Sequence, residues 1–244
     1  MLISHRYKFI FLKSLKTAST SLFVFLIPYC LPKSKEKKFS YNFHSQTKEV
    51  AIYKEGIIGL NKNGKKVKHV SALETKNFLD KIDKSIWKDY FKFTIVRNPW
   101  DLTVSYYFHV IKRFQENIFF TNNKYIPKFE NPKNIQEHKE NFTKFVEYMN
   151  EENILSRPKS YNFYKIKNNY VCDYFIKYEE LKSNIKYVLN KCNIKNYNFE
   201  NLKNFRSDSR PKGLSYQELH SKKTKEIIED LYYDDIEKFN YKFL

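Results

Sequence analysis

Apolar positions along this chain fall into short clusters with sharp edges, and the edges say as much as the clusters. Tyr7 to Leu12 is aromatic and β-branched and reads as a buried strand. Lys13 to Ser19 is polar and reads as a loop. Ser19 to Ile27 then reads as a helix that Pro28 stops. Strand, loop and helix in that order open a parallel α/β sheet. Pro28 and Pro32 bracket a turn, and the charged run Lys33 to Lys38 is a solvated surface loop. Residues 49–70 read as one or two short strands with turns at Gly56, Gly59 and Asn63-Gly64.

The second half continues the alternation. Ser71-Ala72-Leu73-Glu74 is a capping box that starts a helix to about Ile82. Phe91 to Val96 is a second, strongly apolar strand. Asn98-Pro99 breaks it and begins a helix to about Phe114, with Pro99 suited to the first helical position. Residues 115–140, rich in Asn, Lys and Pro, read as irregular; a segment of that length without structure in a compact domain is often functional. Phe142 to Tyr148 reads as helical, Asp173 to Lys177 as a third strand, and Glu179 to Lys191 as a third long helix. Residues 194–215 form a polar loop holding Arg206, Arg210 and Lys212-Gly213, and Ser221 caps a last helix through about Tyr233. Neither an internal repeat nor a linker composition is visible. The expectation is one α/β domain over residues 1–244, three-layered, with a central parallel sheet flanked by helices.

Composition adds limits to this picture. Hydrophobic residues make up 41% of the 244 and aromatics 18%, enough for a core and too many for a disordered tail. The formal charge of +18 points to anionic partners. Only six of the 45 basic residues are Arg, however, and the Lys, Asn, Ile, Phe and Tyr that dominate share AT-rich codons, so base composition is a competing source of that charge. Cys30, Cys172 and Cys192 are odd in number and far apart, which fits buried reduced thiols rather than a disulfide framework or metal motif. The apolar runs 9–12 and 22–27 are separated by Lys13 and Lys16, and neither approaches the roughly 20 residues of a membrane span. The same charges interrupt any signal-peptide core. The N-terminal stretch therefore reads as the first strand and helix of a soluble protein, cytoplasmic by default.

Two loops are suited to phosphate. Lys16-Thr17-Ala18-Ser19-Thr20-Ser21 lies between the first strand and the first helix. A helix N-terminus there supplies N–H groups and a positive dipole end, Lys16 a mobile charge, and four residues hydroxyls. It lacks the glycines and Gly-Lys-Ser/Thr ending of a Walker A loop. Read alone, it is also an ordinary Ser/Thr helix start. In the second segment, Arg97-Asn98-Pro99-Trp100-Asp101, Arg97 stands at a strand end, where open α/β sheets bind ligands, with Ser105 eight residues on in the next helix. Arginine's planar fork suits phosphate oxygens. The structural alternative is an Arg97–Asp101 pair that caps the helix.

Together the two segments resemble the PAPS-dependent (3′-phosphoadenosine-5′-phosphosulfate) sulfotransferases, in their carbohydrate branch, Golgi-type and heparan 2-O-like. Phe9 to Ser21 is similar to the 5′-phosphosulfate loop of that family, a strand followed by Lys-Thr-Gly-Gly-Thr-Ser, and Phe93 to Tyr107 is similar to its 3′-phosphate motif. Tyr174 to Leu181 resembles the third strand with its following helix, and Leu231 to Tyr241 the C-terminal signature, so the likeness touches nearly the whole chain. Three positions depart from the pattern: Ala18-Ser19 replaces Gly-Gly, Lys13 stands where His is usual, and Leu102 where Arg is usual.

The resemblance implies a P-loop-like sulfotransferase fold and sulfuryl transfer from PAPS to a carbohydrate hydroxyl without a metal. It implies Lys16 as the group that stabilises the leaving phosphate, with Thr17, Ala18, Ser19, Thr20 and Ser21 around the 5′ groups and Arg97 and Ser105 on the 3′-phosphate. A base is expected near the capped helix, with His69 the first choice and Glu74 and His44 in reserve. Arg206, Arg210, Lys212 and Gly213 lie in a loop suited to close over the donor; a solvated basic loop is the plain alternative. Golgi-anchored relatives carry an N-terminal membrane helix, and this sequence shows none. Two other readings compete. An ATP-dependent kinase with a degenerate phosphate loop would need a Mg²⁺-holding acid after a strand. A nucleic-acid-binding protein would interleave basic and aromatic residues on one face, but the 20 Tyr and 22 Phe are spread as core residues, so no nucleic-acid partner is expected.

Overall fold

The computed structural model describes residues 1–36, 38–41, 51–62, 65–67, 69–115, 132–151, 160–205 and 210–244. The chain divides into two compact units, Met1–Val96 with Ser160–Phe205, and Arg97–Lys159 with Arg206–Leu244. Each is built from two separate stretches of chain. The first crossing falls between Val96 and Arg97, where a strand leads into a helix, so no change of composition marks it.

The first unit holds a six-stranded sheet. Its strands are β1 (Leu2–Ser4), β2 (Phe9–Phe11), β3 (Ala51–Tyr53), β4 (Gly56–Ile58), β7 (Phe91–Val96) and β10 (Tyr174–Lys177). Their order is β10-β7-β2-β1-β4-β3. Two small ribbons accompany it: β5 (Leu60–Lys62) with β6 (Lys65–Val67), and β8 (Lys165–Ile166) with β9 (Asn169–Tyr170).

Strands β10, β7 and β2 run parallel, with Tyr174 opposite Phe93 and Phe11 opposite Phe93. The pairs β2–β1, β1–β4 and β4–β3 are antiparallel. The sheet is thus mixed, which corrects the expectation of a parallel one. The reason is connection length. Only His5 to Lys8 join β1 to β2, and only Lys54 and Glu55 join β3 to β4, whereas a parallel crossover needs about a dozen residues or more. The expected first strand is β2, preceded by a strand, β1, that the reading did not include, and the glycine at 56 opens β4 rather than standing in a turn.

Both faces of this sheet are packed, as the alternation along β1 and β2 dictates. Leu2, Phe9, Phe11, Phe93, Ile95 and Ile176 meet Leu22, Phe23 and Leu26 of helix α1 (Ser19–Leu26) and Ile185, Val188 and Leu189 of α7 (Leu181–Lys191). Ile3, Ile10, Leu12 and Ile57 cluster with Ala72 and Leu79 of α3 (Ala72–Ile82) and Ile86 of α4 (Lys84–Asp89). A one-turn helix, α2 (Lys33–Glu36), lies in the stretch read as a loop. Helix α3 begins at the expected capping box. The Ser71 hydroxyl accepts from the Glu74 N–H at 3.1 Å, and the Glu74 carboxylate accepts from the Ser71 N–H at 3.1 Å.

The described part of the second unit is helical: α5 (Pro99–Gln115), α6 (Ile135–Glu151), α8 (Lys222–Leu231) and α9 (Tyr233–Phe239). Trp100, Val104, Tyr107, Phe108, Phe142, Phe145, Leu219, Ile228 and Tyr232 form its core. Helix α6 starts earlier than hydrophobic periodicity alone indicates, inside the stretch read as irregular. Asn134 accounts for this: its side chain accepts from the Glu137 N–H at 2.9 Å and donates back to the Glu137 carboxylate at 2.9 Å. An Asn with an acidic residue three positions on is a helix start hidden in an Asn-rich stretch.

Charge is unevenly divided between the units. The first has 27 basic and 11 acidic residues in 142, a net of +16; the second has 18 and 16 in 102, a net of +2.

Two measurements test this packing. A Cβ on Gly56 would press on the backbone carbonyl of Ile3 and lie 2.8 Å from that of Cys30. Both are backbone atoms, one in β1 and one in the buried turn Ile27–Cys30, so Gly56→Ala should cost about 2–3 kcal/mol in urea unfolding; a cost below half a kcal/mol would show a looser fit.

The second test concerns pH. Burial among Phe142, Tyr216 and Phe243 lowers the His220 pKa to about 4, although its Nε2 donates to the Trp100 carbonyl at 3.2 Å. The unfolded imidazole takes a proton near 6.5 and the folded one only near 4. Stability is therefore full above about 6.5, falls as pH drops toward 4, and is flat below, a change of up to about 3 kcal/mol. His220→Gln should flatten that slope in urea midpoints measured across the window, and an unaltered slope would place the titration elsewhere.

Candidate functional site

The loop after β2 is tied to β7 at its start, through Leu12 and Ser14. Leu12 N–H donates to the Phe93 carbonyl at 2.9 Å, and Thr94 Oγ1 donates to the Leu12 carbonyl at 2.7 Å. Ser14, fully buried, donates its hydroxyl to the Ile95 carbonyl at 2.7 Å. Its one proton is then used, so in the 2.6 Å pair between Ser14 Oγ and Thr17 Oγ1 the donor is Thr17. The Ser19 hydroxyl donates to the Ser14 carbonyl, and Ser21 Oγ accepts from the Phe205 N–H at 3.2 Å. Thr17, Ser19 and Ser21 are all buried, while Lys16 and Thr20 are half-buried. Three of the four hydroxyls expected to face a ligand therefore bond within the protein.

The loop turns through two left-handed residues, Lys16 and Ala18, both at φ 57°. Ala18 is where the family pattern carries glycine, and an L-residue with a Cβ takes this conformation at a cost of about 1–2 kcal/mol. The turn puts the Ala18 carbonyl at the head of α1, where it accepts from the N–H groups of Ser21 and Leu22. The N–H groups of Ser19 and Thr20, as the first of the helix, have no acceptor inside it. Lys13 is buried, its ammonium 5.0 Å from the centre of the Phe23 ring.

His69 stands against this loop. Its Nδ1 is 3.2 Å from the Lys13 carbonyl, and its ring meets Phe163 edge-on at 6.0 Å. A carbonyl only accepts, so Nδ1 carries a proton, and in the neutral form of the ring the lone pair is then on Nε2. Glu74 is committed to the Ser71 cap, and His44 lies outside the described residues.

In the second unit, each residue of the Arg97–Asp101 segment has a structural task. Asn98 Oδ1 accepts from the N–H groups of Trp100 and Asp101 at 3.1 and 3.3 Å and so caps α5; its Nδ2 donates to the Lys242 carbonyl at 3.0 Å. Pro99 opens the helix. The Trp100 side chain is buried and donates to the Lys225 carbonyl at 3.3 Å.

The Arg97–Asp101 pair anticipated from sequence is present, with Nε and Nη2 each 2.7 Å from Oδ2. Arg210 joins the same carboxylate, its Nη1 2.7 Å from Oδ1, and also donates through Nε (2.8 Å) and Nη2 to the Leu214 carbonyl. That third partner lies 109 residues from Asp101 and leaves no trace in local sequence. Ser105 is one helical turn beyond Asp101, on the same face of α5. Lys212 is exposed, Gly213 turns at φ 82°, and Arg206 lies outside the described residues.

Among the described residues no cluster of three or more His, Cys, Asp or Glu is placed to hold a metal, and no helix is long and apolar enough to cross a membrane. No curated protein and no solved structure matches the chain. The sequence matches the model of the Sulfotransferase family over residues 1–242, nearly its full length. The chain belongs to the sulfotransferase family.

Proposed function

We propose that this sulfotransferase takes its sulfuryl group from PAPS and places it on a carbohydrate hydroxyl. The observation that carries this reading is the left-handed turn at Lys16–Ala18, which places a lysine three residues before Ser19, the first residue of α1. That is the arrangement an anionic leaving group calls for.

In this reading Lys16, the N–H groups of Ser19 and Thr20 and the Thr20 hydroxyl address the 5′-phosphosulfate. Thr17, Ala18, Ser19 and Ser21 hold the turn in shape. Arg97 and Ser105 address the 3′-phosphate, which distinguishes this donor from ATP. Each segment follows the carboxyl end of a strand in the chain, β2 for the first and β7 for the second, and such ends are where open α/β sheets take ligands. Arg206, Lys212 and Gly213 belong to the basic loop that serves the donor, and Arg210 of the same loop is tied to Asp101. The carbohydrate acceptor follows from the branch of the family that the motifs resemble.

His69 is the base. With Nδ1–H fixed on the Lys13 carbonyl, Nε2 takes the proton of the acceptor hydroxyl. The acceptor oxygen then bonds to sulfur while the bond from sulfur to the 5′-phosphate oxygen breaks. Lys16 meets the charge that develops on that oxygen, and the products are the sulfate ester and 3′,5′-adenosine bisphosphate.

Thermal unfolding with added nucleotide tests the donor. At about 100 times the dissociation constant, 3′,5′-adenosine bisphosphate should stabilise by about 2.7 kcal/mol, several degrees, with AMP and ATP at the same concentration giving far less. Arg97→Ala should erase the difference. Equal shifts from all three nucleotides in the unaltered protein would refute the reading.

The base is tested separately. His69→Ala should lower turnover by about 10²–10⁴-fold while the bisphosphate shift stays intact. Turnover within a few-fold of the unaltered protein would place the base elsewhere.

A further inference from the structure

The carboxylate of Asp101 is shared between two arginines, and this arrangement deepens the reading of Arg97 as a phosphate ligand, on which it rests. Asp101 lies in the first turn of α5 with its side chain only 14% exposed. Oδ2 accepts from Nε and Nη2 of Arg97, both at 2.7 Å, and Oδ1 accepts from Nη1 of Arg210 at 2.7 Å. Arg210 is itself held by the Leu214 carbonyl of its own loop. The contacts run in series, from the Leu214 backbone to Arg210, to Asp101, to Arg97.

A carboxylate that serves a different guanidinium with each oxygen cannot rotate without losing one of them. Its plane is fixed, and so is the plane of Arg97, whose Nε/Nη2 edge lies on Oδ2. Recognition of a phosphate by arginine depends on that plane. The Arg210 guanidinium commits three of its five N–H donors, one on each nitrogen, to Leu214 and Asp101. We infer that Asp101 is the positioning residue for Arg97, and that Arg210 acts on the 3′-phosphate through Asp101 rather than by contact.

Electrostatics and geometry predict opposite signs here. Two arginines and one aspartate sum to +1, and Asp101→Asn raises the cluster to +2. If charge alone governed, this variant would bind an anion more tightly. If orientation governs, it binds more weakly, because the neutral amide no longer holds either guanidinium through a charged hydrogen bond. A lost charge-assisted hydrogen bond corresponds to about a tenfold change in affinity or somewhat more.

The test is calorimetric titration of 3′,5′-adenosine bisphosphate and of AMP into the unaltered protein, Asp101→Asn, Arg210→Gln and the double variant. Asp101→Asn should weaken the bisphosphate by about tenfold and leave AMP within about twofold, so the ratio between the two nucleotides falls. A residue that only supported the fold would move both nucleotides together. Arg210→Gln should weaken the bisphosphate less than Asp101→Asn does, and should have no further effect in the Asp101→Asn background.

Unchanged or tighter bisphosphate binding by Asp101→Asn overturns the inference. An Arg210→Gln loss of equal size in both backgrounds makes Arg210 a direct ligand and overturns the series. If Asp101→Asn does not fold, Arg210→Gln decides alone, and an unchanged nucleotide ratio overturns the inference. An unaltered protein that does not distinguish the two nucleotides removes the reading of Arg97 itself, and this inference with it.

Discussion

Ser14 has a single hydroxyl proton, and the Ile95 carbonyl takes it at 2.7 Å. From that one bond the shape of the loop follows. Thr17 has to turn inward and donate to Ser14, and Ser19 reaches back to the Ser14 carbonyl. Between these residues the backbone enters the left-handed region twice, at Lys16 and at Ala18. The loop is thereby fastened to β7, the parallel neighbour of the strand it leaves.

Burying so many hydroxyls is affordable only because each has a partner. A buried hydroxyl without one costs about 1–3 kcal/mol, and Ser14, Thr17, Ser19 and Ser21 would each incur it. Instead they bond to one another and to backbone, and the loop that looked polar in sequence is a polar core. The same economy appears in the second unit. Asn98, Trp100 and Asp101 direct their polar atoms at Lys242, Lys225 and Arg210, so a short motif near the middle of the chain organises its last residues.

Features with local causes were legible in the sequence. The Ser71–Glu74 capping box, the Asn98-Pro99 helix start, the strand Phe91–Val96 and the cap at Ser221 all lie where propensity and capping chemistry put them. Features that depend on distant partners were not. Leu2-Ile3-Ser4 is too short to announce a strand and becomes one by pairing with β2 and β4 on either side. The direction of β1 and β3, which run against the other four strands, turned on connection lengths that cluster edges did not resolve. At the site, both phosphate-suited segments could be read from residue type and spacing. The inward turn of Thr17, the seat of His69 on the Lys13 carbonyl and the bond from Arg210 to Asp101 could not, because each is decided by a group far away in the chain or by a backbone angle.

The uneven charge of the two units has its own meaning. Basic residues are about equally dense in both, 27 in 142 against 18 in 102, as a genome-wide bias toward lysine codons would leave them. The difference lies in the acids, 11 against 16, and aspartate and glutamate codons are not disfavoured by the same bias. A body with this surplus repels itself when compact, and the repulsion weakens as counterions gather. The unit that carries Lys16 therefore has more self-repulsion for salt to screen than the second unit has, and its cohesion depends more on the ionic medium around it.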